Sequence, residues 1–230
     1  MTDRHVTITH TGEKFPSSRR EIEYLPIEPP APGHACPVAD GILWARIPLP
    51  MELTHINVWL MDDGDSWALV DTGMALDSCR EAWHTLERDT LGGKPLGRIF
   101  VTHDHPDHMG LSPWLQQRHG AKEPAAIEAR MRAFLASHGL TQDPGTAARA
   151  TFRHDEWFGG APVLDEAPED GDTFDAGGRR WQLIETGGHC RGHLCLYDGD
   201  GRVLVSGDQV LPTISPNVSV LSSRPDADPL

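Results

Sequence analysis

The sequence predicts one α+β domain with helices outside two β-sheets. Three observations predict it. Short runs rich in Val, Ile, Leu and Trp come first, amphipathic helical segments follow, and strand-like runs return towards the end. Gly, Pro and Asp clusters punctuate these runs where turns are needed. The length of 230 residues gives one large domain enough chain for a real core.

Residues 1–40 read as an irregular N-terminal arm. Pro26, Pro29, Pro30, Pro32 and Pro37 each fix φ and remove a backbone donor. The folded domain is read as 41–230. Ile42–Leu49, His55–Met61 and Trp67–Asp71 are successive antiparallel strands, broken by Pro48-Leu49-Pro50 and by Asp62-Asp63-Gly64-Asp65. After the turn Asp71-Thr72-Gly73, a helix is expected over about Leu76–Leu91. Leu76, Cys79, Ala82, Trp83 and Leu86 recur at helical spacing, and Gly92-Gly93 stops it. Arg98–Thr102 is a short buried strand. Helix is expected through Leu111–His119, over Ala125–His138 and again after Pro144. Trp181–Glu185, His193–Tyr197 and Val203–Ser206 are strands, the last two joined by the hairpin signal Asp198-Gly199-Asp200-Gly201.

The charge balance of 20 Lys+Arg against 34 Asp+Glu gives −14, which repels phosphate backbones and argues against nucleic-acid partners. No apolar run reaches the ~20 residues that span a bilayer, so no membrane partner is expected. The N-terminus carries no apolar signal-peptide core, and Cys36, Cys79, Cys190 and Cys195 are too few for a disulfide scaffold. A cytoplasmic protein acting on a small molecule is the reading that remains; oligomeric state is not legible.

The informative segment is His103-Asp104-His105-Pro106-Asp107-His108, directly after a buried strand. His103 and His105 alternate, so in an extended stretch both point to one side and form a ready metal chelate. Asp107 and His108 then turn away and can serve a second ion. Packing rewards none of these groups, and burying them unpaired is costly. Thr186-Gly187-Gly188-His189 and Ser206-Gly207-Asp208 each place a further donor at a strand exit. Cys190 reads as a core thiol. His193 reads equally as a group behind the site and as a strand-start residue. Trp44, Trp59, Trp114 and Trp157 read as packing residues in preference to a pocket lining.

With the early Val70-Asp71-Thr72-Gly73, these motifs resemble the metallo-β-lactamase superfamily of metallo-hydrolases over roughly residues 41–220. The resemblance implies an αββα sandwich of two mixed sheets with metals at their shared edge. By the family pattern His103, His105 and His189 hold one ion, Asp107 and His108 a second, and Asp208 bridges them. Asp71 then orients a ligand by hydrogen bonding. The implied cofactor is Zn²⁺, one or two ions, with Fe or Mn also suited to the donors. Such an ion lowers the pKa of bound water towards ~7. The implied function is therefore a hydrolase that turns metal-bound hydroxide on an ester, thioester or lactone carbonyl, with Asp107 as its proton carrier.

A persulfide dioxygenase-type iron oxidoreductase and a non-catalytic metal-binding remnant are the alternatives. Leu211 stands where lactonases of the superfamily carry Tyr, which lowers that reading. The pattern also expects a later His on the second ion. None follows His193, so a C-terminally truncated domain lacking its last helices is expected.

Overall fold

The computed structural model describes residues 24–121, 123–124, 164–166, 169–190, 192–211 and 214–217. Five strands form the first sheet: β1 Ala35–Ala39, β2 Ile42–Pro48, β3 His55–Asp63, β4 Ser66–Val70 and β5 Leu96–Phe100. They lie in sequence order, antiparallel as far as β4, with β5 parallel to β4. The parallel pair requires a crossover, supplied by helix α1, Asp77–Asp89. Two short helices follow, α2 Pro106–Met109 and α3 Ser112–His119. A two-stranded parallel pair joins β6 Glu123–Pro124 to β7 Leu164–Glu166. The second sheet is an antiparallel meander of β8 Thr173–Ala176, β9 Arg179–Thr186, β10 His193–Asp198 and β11 Val203–Val205.

Alternation along the strands builds two cores. On one face of the first sheet, Ala45, Ile47, Val58, Leu60 and Leu69 meet Cys79, Ala82, Trp83 and Leu86 of α1, with Leu115 of α3. On the other face, Ile42, Met61, Ala68, Val70 and Phe100 meet Trp181, Leu183, Leu196 and Val205 of the second sheet. Helix, sheet and sheet are thus three successive layers of the expected sandwich. The predicted helices at Ala125–His138 and after Pro144 lie outside the described residues.

The proposed boundary at residue 40 is corrected by β1. Ala35–Ala39 pairs with β2, so regular structure starts inside the supposed arm. Pro37 does not prevent this, because β1 is an edge strand and its missing donor faces away from the ladder. The short strand β8 and the one-turn helix α2 are further elements that the sequence reading did not separate. Asp107 and His108 therefore sit on a helical turn, with Pro106 at its first position where no donor is needed.

Candidate metal centre

The C-terminal ends of β4 and β5 lie side by side, and the chain leaving each turns across that edge. Asp71 follows β4 with φ of 63°, a left-handed conformation that Asp tolerates better than most residues. Gly73 follows at φ 101°, and a Cβ there would lie 2.7 Å from Ile47 Cγ2, so only glycine fits. The turn is bolted down by Trp83, whose indole N–H donates to Thr72 O at 2.7 Å. Asp71 itself is buried. Its Oδ1 accepts from Thr102 N–H at 2.8 Å, and its Oδ2 lies 2.8 Å from His108 Nδ1.

These contacts aim the imidazoles. Nδ1–H of His108 donates to Asp71, so Nε2 faces the carboxylates of Asp208 and Asp107 at 3.3 and 3.6 Å. Nδ1–H of His103 donates to Thr102 Oγ1 at 2.9 Å. From the second sheet, Nδ1–H of His189 donates to Asn217 O at 3.0 Å. These partners set the tautomers and turn each remaining ring nitrogen, lone pair first, to the centre.

His103 Nε2, His105 Nδ1 and His189 Nε2 converge there. They lie 2.9 Å (103 to 105), 3.0 Å (105 to 189) and 3.2 Å (103 to 189) apart. Asp208 joins them, its Oδ2 3.4 Å from His189 Nε2. His103 and His189 present lone pairs here, and three ring nitrogens at this spacing are suited to a cation between them. A tetrahedral ion at ~2.0–2.1 Å from each nitrogen implies edges of about 3.3 Å. His108 Nε2 is moreover buried without a hydrogen-bond partner. The donor set fits a divalent metal.

The structure thus brings together His103, His105, His189 and Asp208, with His108 and Asp107 beside them. Cys190 is buried outside this cluster. Among the tryptophans, Trp59 packs in the inter-sheet core and Trp114 against the outer core, whereas Trp157 lies outside the described residues.

His193, left open by the sequence, is fully buried behind the centre. Its Nε2 accepts from the Asp208 backbone N–H at 3.2 Å, and its Nδ1 meets Thr186 Oγ1 at 3.2 Å. Gly207 is required by this contact, since a Cβ there would lie 2.6 Å from His193 Nε2. Thr102 is a second residue that sequence reasoning passed over, although its place just ahead of the motif was a usable signal.

Burial governs the protonation of these rings. It lowers His103 well below its ordinary value, helped by the neighbouring imidazoles, and takes His193 down to about 4 despite Asp71. Burial also acts against charge on His108, but Asp71, Asp208 and Asp107 outweigh it and hold that ring well above its ordinary value. A histidine depressed on folding gains its proton later than the unfolded chain as pH falls. Its contribution to stability is whole above ~6.5 and lost on the way down to its folded pKa. For His193 that window is ~6.5 to about 4, worth about 3 kcal/mol. His108 works the other way and loses its contribution as pH rises through its raised pKa, so it does not offset the acid loss. Urea unfolding of metal-free protein at pH 6.5, 5 and 4 is expected to show this decline, less steep in His193→Asn. A flat profile is the contrary result.

The profile of the metallo-beta-lactamase superfamily matches residues 51–229. The chain belongs to this superfamily. It is 28% identical to an acyl-coenzyme A thioesterase, MBLAC2, of Bos taurus, over 75% of this chain and 64% of that protein. It is also 28% identical to a hydroxyacylglutathione hydrolase of Rhizobium johnstonii, over 77% of this chain and 59% of that protein. The chain therefore spans less than two thirds of the length of these relatives. The crystal structure of a beta-lactamase domain protein from Burkholderia ambifaria superposes with a TM-score of 0.75 and 33% identity. That match covers 87% of this chain and 63% of the other. The metallo-β-lactamase sandwich expected from the motifs is thereby the fold of this chain. Among the described residues, no helix is long and apolar enough to cross a membrane.

Proposed function

We propose that this superfamily member is a metal-dependent hydrolase of thioesters or related esters. The observation that carries the reading is the convergence of three imidazole nitrogens and a carboxylate from loops far apart in sequence. In this reading His103, His105 and His189 hold one ion, His108 and Asp107 a second, and Asp208 lies between them. Zinc suits the nitrogen-rich set, with Fe or Mn able to replace it. When bound, the divalent ion supplies Lewis acidity, which acidifies water and polarises a carbonyl.

The rest is the work of the chain. Asp107 is a partly exposed carboxylate beside His108 Nε2, placed to take a proton from attacking water and return it to the leaving group. Asp71, Thr102 and the carbonyl of Asn217 hold three rings in the tautomer that presents a lone pair inward. His193 fixes the Asp208 backbone, and so the approach of its carboxylate. The thioester class is suggested by the relatives named above, an acyl-coenzyme A thioesterase and a hydroxyacylglutathione hydrolase.

Elemental analysis of purified protein, paired with an acyl-coenzyme A, a hydroxyacyl-glutathione, a lactone and a phosphodiester, tests the reading. The expected result is zinc-loaded protein that hydrolyses a thioester, loses this with a chelator and regains it with Zn²⁺. Iron-loaded protein that consumes O₂ on a thiol persulfide would replace the reading with an oxidoreductase. Loaded protein inert on the whole panel would leave a binding remnant.

A further inference from the structure

Among the described residues, the inner face of the first sheet extends beyond the core it shares with the second sheet. Residues 42, 44, 46 and 48 of β2 and 61, 59, 57 and 55 of β3 share this face, as the membership of Ile42, Met61 and Trp59 in the inter-sheet core shows. Among the described residues, the inter-sheet core ends near Trp59. The row continues as Asn57 and His55 on β3, with Trp44 and Arg46 beside them on β2, and here it is polar. Trp59 pairs with Val70, and the strands are antiparallel, so Asn57 and Arg46 lie level with the chain that leaves β4 at Asp71. Arg46 stands two strands from that chain, about 10 Å across the sheet. This polar row therefore flanks the candidate metal centre.

Among the described residues, every Arg and Lys except Arg46 and Arg202 is paired with a carboxylate. Arg202 lies on an exposed turn; Arg46 is half-buried. The side-chain partner of Arg46 is an imidazole: its Nη2 donates to His55 Nδ1 at 2.7 Å. His55 must be neutral to accept, and burial and then the guanidinium charge both lower its affinity for a proton. Nε of Arg46 is buried with no partner at all. In a chain of net charge −14, a guanidinium with no carboxylate partner among the described residues and oriented by a neutral acceptor keeps its full charge for something else. Trp44, fixed by its indole N–H to Asn57 Oδ1 at 2.7 Å, gives the same shelf an aromatic wall.

We propose that Arg46, oriented by His55, is an anion-binding subsite that takes a carboxylate or phosphate carried by the substrate at a distance from the carbonyl under attack. The word substrate rests on the hydrolase reading; the site itself does not. Lost charge-assisted hydrogen bonds of this kind are worth about tenfold or more in affinity.

The test compares parent, Arg46→Gln and Arg46→Lys on three thioesters. An acyl-coenzyme A carries phosphates, an acyl-glutathione carries carboxylates, and an acyl N-acetylcysteamine carries neither. In Arg46→Gln, KM for one of the anionic thioesters is expected to rise at least tenfold more than KM for the neutral one, with kcat changing alike for both. The affected substrate identifies the anion. Arg46→Lys recovers part of the loss. Equal changes on all three substrates overturn the proposal and leave Arg46 a structural residue. A second readout holds even if no thioester is turned over. Titration with inorganic phosphate and with glutathione is expected to shift the Trp44 indole N–H resonance in the parent and not in Arg46→Gln. Identical titrations in folded parent and variant overturn it.

Discussion

Replacing His105 with Ala is expected to leave the protein without bound metal and with activity lower by about 10³ or more. The three-nitrogen face is the tightest feature of the centre, with no pair more than 3.2 Å apart, and His105 Nδ1 makes the two shortest of the three approaches. Two imidazoles and a carboxylate placed for a four-donor cluster remain, and the gap left by the lost nitrogen is not closed by any other donor of the cluster. The loss in rate follows from the several kcal/mol that a Lewis-acid ion supplies. His105 is also the ring best suited to the test. Unlike His103 and His108 it is not fully buried, and its loop carries little of either core. The metal-free variant should therefore unfold within a few degrees of the metal-free parent. Metal per chain by elemental analysis is the deciding quantity, and an unchanged stoichiometry would remove His105 from the centre.

How far this was legible in the sequence differs from residue to residue. The strands β2, β3, β4, β9 and β10 were visible because one or both of their faces are buried, which writes itself into alternation or continuous apolar runs. Helix α1 was visible through its apolar stripe. β1 was hidden by Pro37, which argues against a strand unless one knows that the strand is an edge. β8 is only four residues long, and half its positions are exposed. In the centre, the imidazoles and Asp208 announced themselves by residue type and spacing. Their supports did not. Thr102 and the carbonyl of Asn217 act through a single hydroxyl or through the backbone, and nothing in residue type marks such a role, while the ring of His193 left two readings open. Arg46 is a more general case. A charged residue in a strand looks like any solvent-facing position until the missing counter-charge can be seen.

Asp71 separates holding the fold from aiming a ligand, and two substitutions are expected to pull these apart. Asp71→Ala leaves Thr102 N–H, Thr102 Oγ1–H and His108 Nδ1–H without their acceptor in a fully buried place. Each orphaned donor costs about 1–3 kcal/mol, and Ala at φ 63° adds strain of about 1 kcal/mol. A loss of about 4 kcal/mol or more in urea unfolding is expected, a large share of the 5–15 kcal/mol available to an ordinary domain. Asp71→Asn is expected to behave otherwise. Asn adopts the left-handed conformation readily, and its carbonyl oxygen can still accept from Thr102 N–H. Its amide nitrogen, however, meets His108 Nδ1 as donor against donor. The ring is then driven to carry its proton on Nε2, towards Asp208 and Asp107, where a lone pair is needed. Asp71→Asn should fold with a loss of about 1–2 kcal/mol, show by ¹⁵N resonance without any metal present a neutral His108 ring protonated on Nε2 where the parent ring carries both protons, and retain the first ion better than the second. Full occupancy of both sites with an unchanged tautomer would reduce Asp71 to a structural residue. An Asp71→Ala variant as stable as the parent would deny it even that.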